Sequence, residues 1–414
     1  MTINSLARSC QRATIASWRP ALFLLVALCG VACSPRPPAE SPAVSVVRHF
    51  SVYESRAEYC AWPSLGRTSR GDLIVLFTRS EEHLGPDGAV VLCRSRDNGL
   101  TWEKPVVVRD TPIDDRESGL TFMRDGRIVG HLWSTFHTRK YYEGLPPGSY
   151  GPEVLDRWIQ FVERPEYLRA EPMKGPWTVV SSDGGASWLP PVRGHDSVHG
   201  GIELADGSLL LASYRDGSDA IVVWRADRPE GEWKDMAAVR SPHPDSISFG
   251  EPHLLQLPSG RVIMMIRATA VVYNDQDPRC VLWETYSDDG GATWVAPYRT
   301  PLWGFPPHLA LLADGRVLCT YGYRRPPYGQ RACLSADGVR WELKDEVVLR
   351  DDAPNGDLGY PASIELEPGT ILTVYYQPNV PPATVQEMKP PDPHRTKPGI
   401  LGTVWRVPAK TPGE

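Results

Sequence analysis

Glu251 and Arg267 stand sixteen residues apart, at the two ends of a stretch that opens Gly250-Glu251-Pro252-His253 and closes Met265-Ile266-Arg267. The stretch reads as two short strands joined by Pro258-Ser259-Gly260, whose glycine supplies the positive φ of a tight hairpin. A hairpin brings its ends together, so a carboxylate able to act as a base meets a guanidinium able to hold an anion. The same turn recurs at Gly71, Gly126, Gly207, Gly315 and Gly369. Ahead of these turns stand Trp62, Glu117, His199, Glu251, His253, His308 and Tyr360; after them stand Arg79, Arg215, Arg267 and Arg324. Four arginines converging on one face of a chain with formal charge −6 imply an anionic ligand, such as a carboxylated or sulfated sugar. Each arginine taken alone could instead be spent on a neighbouring acid.

The elements that must position these residues follow from the spacing of the turns. Successive turn glycines lie 55, 81, 53, 55 and 54 residues apart. A period of this length, with four short strands per unit, is the signature of propeller blades, and six units make six blades. The long interval marks an insertion of roughly 26 residues between strands b and c of blade two. Within it, Val154 to Val162 reads as a short helix over the site. Blade six carries Tyr360–Leu366, Thr370–Tyr376 and Ile400–Val407, one strand short, and Val44–Ser51 is the natural closing strand. Such closure removes the free edge. In this architecture the starts of the a strands, the ends of the b strands and the b–c loops share one face around the axis.

A second motif repeats at the c–d turns. It reads Ser95-Arg96-Asp97-Asn98-Gly99-Leu100-Thr101-Trp102, then Ser181 to Trp188, then Ser287 to Trp294. Ser335 to Trp341 is a shortened copy and Asp227 to Trp233 a decayed one. This motif resembles the Asp box of the sialidase superfamily. There the aspartate ties the turn, the glycine takes the left-handed conformation and the tryptophan packs back between sheets. These repeated aspartates are therefore structural, on the face opposite the site.

The resemblance to sialidases extends over about residues 44–407 and implies roles for particular residues. It makes Tyr360 the nucleophile, Glu251 its base, and Arg267 and Arg324 part of the group that binds a sugar carboxylate, with Arg331 second choice to Arg324. A neutral phenol avoids the repulsion that a carboxylate nucleophile would meet beside an anionic sugar. The general acid is expected in the loop Glu81 to Gly88, at Asp87, with His83, Asp115 and Glu117 as rivals. Two departures reshape the pocket. The family's first arginine motif reads Cys60-Ala61-Trp62-Pro63 here, so alanine replaces the arginine, and the glutamate that braces it is absent from Tyr376-Gln377-Pro378-Asn379. Arg79 is the candidate to fill that vacancy. The histidines His199, His253 and His308, expected on the rim, would also suit a polysaccharide lyase or a histidine-dependent glycosidase acting on uronates. A non-catalytic glycan-binding lipoprotein is a third reading.

The ends of the chain say where it acts. Arg8, Arg12 and Arg19 precede an apolar run from Ala21 to Ala32 that ends before Cys33, so residues 1–33 read as an export signal of lipoprotein type. Residues 34–43 form a Pro-rich tether, 44–407 the propeller, and 408–414 a tail. The expected location is the outer membrane through a lipid on Cys33, or the periplasm or exterior after simple cleavage. An acidic pI near 6.0 argues against nucleic acid as a partner. The cysteines Cys60, Cys93, Cys280, Cys319 and Cys333 lack metal-ligand spacing and read as buried thiols, although Cys319 and Cys333 could pair. The expected partner is an acidic glycan, met by a monomer with no metal and no cofactor.

Overall fold

The b strands are the most apolar segments of the chain. Leu73–Ser80, Ile128–Thr135, Leu209–Tyr214, Val262–Ala270, Val317–Tyr323 and Thr370–Pro378 are buried along most of their length. A strand buried on both faces needs a sheet packed on each side. In the computed structural model, which describes residues 44–214, 220–272, 277–379, 397–407 and 410, each b strand lies inside a four-stranded antiparallel blade. Residues 1–43, on which the expected export signal with Cys33 and the expected tether fall, lie outside the described residues, as do Arg215 and all of 408–414 but residue 410.

Blade one pairs Tyr59–Arg67, Leu73–Ser80, Ala89–Ser95 and Val106–Arg109 in that order, and blades two to five repeat the meander. Blade six orders Ser45–Tyr53 beside Pro398–Arg406, then Thr370–Pro378, then Gly359–Glu367. The N-terminal strand thus closes the last blade, as expected, with Phe50 opposite Gly402 and His49 opposite Thr403. The a strands touch in ring order, and blade six meets blade one. The core is a set of inter-blade seams. Cys60, Phe77, Leu372 and Tyr376 fill the seam of blades six and one, and Leu210, Phe249, Met264 and Trp283 that of blades three and four.

The c–d turns hold as the motif predicts. Asp183 accepts from the amides of Ala186 (3.0 Å) and Ser187 (2.9 Å) and from the Ser187 hydroxyl (2.6 Å), while the Ser181 hydroxyl accepts from the Gly185 amide (2.8 Å). Asp97 and Asp289 repeat this geometry with Thr101 and Thr293. Trp341 is buried, whereas Trp188 and Trp294 are half-buried against their seams. The blade-two insertion holds three short helices where one was expected: α1 (Arg139–Glu143), α2 (Pro152–Val162) and α3 (Pro165–Arg169). They make a small core of Tyr142, Trp158, Val162 and Tyr167 with Ile113 of the propeller. Cys319 and Cys333 face each other in register as free thiols.

Candidate functional site

Four a strands break their ladder at the same place. Trp62, Glu117, Glu251 and Tyr360 each lie nine residues ahead of their turn glycine, each within a β-bulge. All four have left-handed backbone, at φ of 56°, 43°, 45° and 50°. That conformation costs a residue with a side chain on the order of 1–3 kcal/mol and persists where surrounding structure enforces it. A bulge re-aims the side chain out of the pleat. Gly322 keeps blades five and six close enough for this, since a Cβ there would come within 2.5 Å of the Gly359 Cα.

Three of the expected residues come together directly. The Tyr360 hydroxyl donates to Glu251 Oε1 at 2.5 Å, and Arg267 Nη1 donates to Glu251 Oε2 at 2.6 Å. Burial, then the charges of Glu251 and Glu117, raise the Tyr360 phenol well above its ordinary pKa, against Arg267 and Arg324. Tyr360 is therefore held as a neutral phenol. Burial works against the charge of Arg267, but Glu251 and Tyr360 outweigh it and hold that pKa raised. Arg267 and Arg324 lie over the same ring, Phe305, at 4.7 and 5.5 Å. Arg324 also donates to the Leu358 carbonyl (2.8 Å) and the Tyr376 hydroxyl (3.4 Å). Arg331 instead packs on Tyr323 and caps carbonyls, so of the two blade-five arginines Arg324 is the one beside Arg267.

The guanidinium absent from position 61 is matched by one from the next blade. Arg116 lies over the Trp62 ring at 4.4 Å and bonds Asp114 (3.1 Å) and the His83 carbonyl (3.1 Å), with Glu117 3.8 Å away. The sequence reading missed it; its signal was its place immediately before Glu117, the blade-two counterpart of Glu251. Trp62 is 2 % exposed and packs against Tyr360, Tyr376 and His83. A second unforeseen group is Asp357, which accepts from Tyr59 (2.8 Å) and Tyr376 (3.2 Å) and stands 3.5 Å from His83. Burial raises its pKa, but His83, Tyr59 and Arg324 outweigh that and lower it overall.

Other expectations need correction. Arg79, expected to fill the vacancy, pairs instead with Glu58 (3.3 Å). The histidines are not on the rim. His199, His253 and His308 pack on one another beneath the site, with the His253 and His308 rings stacked at 4.3 Å. His253 Nδ1 accepts from the Leu309 amide (2.8 Å) and His308 Nδ1 from the Ser363 amide (3.4 Å). Burial lowers the pKa of all three, that of His308 to about 4, so they are neutral. Asp87 is exposed and lines neither cavity. Asp115 is spent on Arg109, Thr111 and Ser134.

Two cavities meet at Glu117. The first, ≈ 280 Å³, is walled by Glu117, Ser197, Tyr214, Glu251, Arg267 and Thr269. The second, ≈ 540 Å³, lies between the loop carrying His83 and the blade-two insertion. Burial raises the Glu117 carboxyl above its ordinary pKa; Arg116 opposes this, and Glu251 adds to it. Tyr360 is 4 % exposed and lies behind Glu251. Among the described residues no group of three or more histidines, cysteines or acids is arranged to hold a metal ion.

The model of the BNR repeat-like domain matches residues 163–373, just over half of the chain. A search of curated proteins finds no match. Among solved structures, a protein of unknown function from Dyadobacter fermentans is similar at 22 % identity and TM-score 0.69, over 88 % of this chain and all of that one. The NanB sialidase of Streptococcus pneumoniae, as a K499G mutant, matches at 12 % identity and TM-score 0.59, over 86 % of this chain and 70 % of that one. The intramolecular trans-sialidase of Ruminococcus gnavus matches at 12 % and 0.53, over 79 % and 92 %. At such identities these three share the fold with this chain.

Proposed function

The chain belongs to the BNR repeat-like family, and from that premise we propose that it is a sialidase-like exo-glycosidase acting on an acidic sugar. One observation carries this reading: the chain of short bonds from the Tyr360 hydroxyl through Glu251 to Arg267. Arg267, Arg324 and Arg116 hold the sugar's anionic group. The Tyr360 oxygen attacks the anomeric carbon as its proton passes to Glu251, and the bond to the leaving oxygen breaks. Glu117, at the junction of the two cavities and with its pKa raised, gives the leaving oxygen its proton. Water then replaces the tyrosyl oxygen, losing its proton to Glu117 while Glu251 returns one to Tyr360. Roles for Tyr214, Trp62 and the buried histidines are supporting: they wall and floor the site.

The near-complete burial of Tyr360 favours a second reading, in which the same arginines bind an acidic glycan without turnover. Product analysis on a panel of acidic glycans separates them. Release of a free acidic monosaccharide is expected. An ultraviolet-absorbing unsaturated uronate would mean elimination instead, and binding without products would establish the second reading. Export with a lipid on Cys33, and action as a monomer on surface glycans, complete the proposal.

A further inference from the structure

The segment between blades four and five reads Leu302-Trp303-Gly304-Phe305-Pro306, and the proposed reaction uses neither of its rings. Phe305 is buried, and its backbone is wedged between blades five and six. Its amide donates to the Gly322 carbonyl at 2.9 Å. Its own carbonyl oxygen stands 3.0 Å from where a Cβ would lie on either Gly322 or Gly359. Those two positions admit Phe305 by carrying no side chain.

Around that wedge, three rings hold four arginines. Trp303 packs against Phe305 at 5.3 Å and against Tyr323 at 5.2 Å between centroids. Arg267 and Arg324 lie over Phe305 at 4.7 and 5.5 Å, Arg325 over Trp303 at 3.9 Å and Arg331 over Tyr323 at 4.5 Å. An aromatic face attracts a cation through its quadrupole, most strongly where water is excluded. Arg324 and Arg325 are consecutive, just past the strand Val317–Tyr323, yet they go to different rings. The rings thus sort the arginines: Arg325 and Arg331 are held on Trp303 and Tyr323, and Arg324 is left on the ring that also carries Arg267. The two that share Phe305 differ in how their charge is matched. Arg267 pairs with Glu251 at 2.6 Å, whereas Arg324 donates to the Leu358 carbonyl and the Tyr376 hydroxyl. Among the described residues no carboxylate forms an ion pair with Arg324, so its charge is the one a ligand's anionic group can answer.

We propose that Phe305 is the positioning residue of the anion site, its ring keeping Arg267 and Arg324 together at one anionic group of the sugar. The proposal rests on the acidic-sugar reading above. Phe305 touches no reacting atom and acts through the two arginines. Without the ring, Arg324 has Asp357 to turn to, a carboxylate whose pKa it already helps to lower.

Binding to the full chain tests it. The probes are 2-deoxy-2,3-didehydro-N-acetylneuraminic acid, glucuronic acid and inorganic sulfate, read by titration calorimetry. They are compared on the unchanged chain, on Phe305→Leu, and on a chain whose Phe305 is replaced by trifluorinated phenylalanine. Leucine removes the ring and keeps an apolar side chain; the fluorines keep the shape and withdraw the electron density that attracts cations. Phe305→Leu should weaken at least one sugar acid about tenfold, and the fluorinated chain should fall between it and the unchanged one. Melting temperatures verify that each variant folds, and if Phe305→Leu does not, the fluorinated chain decides. Affinities that ignore the change of ring overturn the proposal, as does an unchanged chain that binds none of the three probes. Binding of sulfate alone, still weakened by the change of ring, would support the positioning role and count instead against the acidic-sugar reading.

Discussion

The two faces of this propeller use the same backbone conformation to opposite ends. At the c–d turns, left-handed positions are mostly glycine, as at Gly99, Gly185 and Gly291, where φ is 80°, 84° and 95°. On the axial face they are Trp62, Glu117, Glu251 and Tyr360. Glycine takes such a turn without strain, so the outer face keeps it where only a turn is needed. Side chains are forced into it where a group must be aimed, and the cost marks the site. Acidity divides in the same way. Hydrogen bonds from Thr101 and Thr293 lower Asp97 and Asp289 to about 2, whereas burial raises Glu117. One residue class is a solvated, strongly acidic peg on one face and a buried, weakly acidic group on the other.

The largest break in this comparison should come from the strained pair. Tyr360→Phe and Glu251→Gln should each lower kcat on the order of 10^3- to 10^5-fold, while Asp183→Asn at an outer turn leaves kcat unchanged and lowers the melting temperature. Glu117→Gln is next. With a sugar leaving group it should lose about 10^2- to 10^4-fold, and much less with 4-nitrophenol, which leaves without a proton. Since Glu117 must be protonated to act, kcat/KM should fall as pH rises through its raised pKa, and the Gln variant should lose that limb.

The tryptophans sharpen the other half. Trp341→Ala should destabilise by roughly 3–5 kcal/mol, because Trp341 is 6 % exposed and donates to buried Glu284 (2.6 Å). The half-buried Trp188 and Trp294 should lose less, and denaturant melts would rank the three. Glu284 adds an effect that depends on pH. Burial raises it from 4.5 to about 8, against the bonds from Trp341 and Tyr298. A folded pKa above the unfolded one means this contribution is complete below pH 4.5 and lost as pH rises to about 8. Stability should therefore decline across that window by at most about 1.4 kcal/mol per pH unit, and Glu284→Gln should flatten it.

The outer face was legible in sequence because its bonds are local. Asp183 reaches partners three and four residues away, so the motif contains its own geometry. The same holds for the hairpin that joins Glu251 to Arg267, and the blade period then placed Tyr360 with them. What escaped reading depends on contacts between blades. Arg116 acts through Trp62 of blade one, and Asp357 through Tyr59 and His83. Arg79 was drawn off by Glu58, in the segment before strand a, a pairing no repeat announces. The three histidines start at the right positions, but they pack on one another, with His199 and His253 buried and His308 half-buried.

The central claim is that Tyr360 and Glu251 act as one unit, and a double-mutant cycle in kcat tests it most directly. If the phenol gives its proton to this carboxylate as it attacks, the Tyr360→Phe/Glu251→Gln double variant will be little slower than either single variant. Losses that multiply independently, or a Tyr360→Phe enzyme that still turns over, would contradict the account.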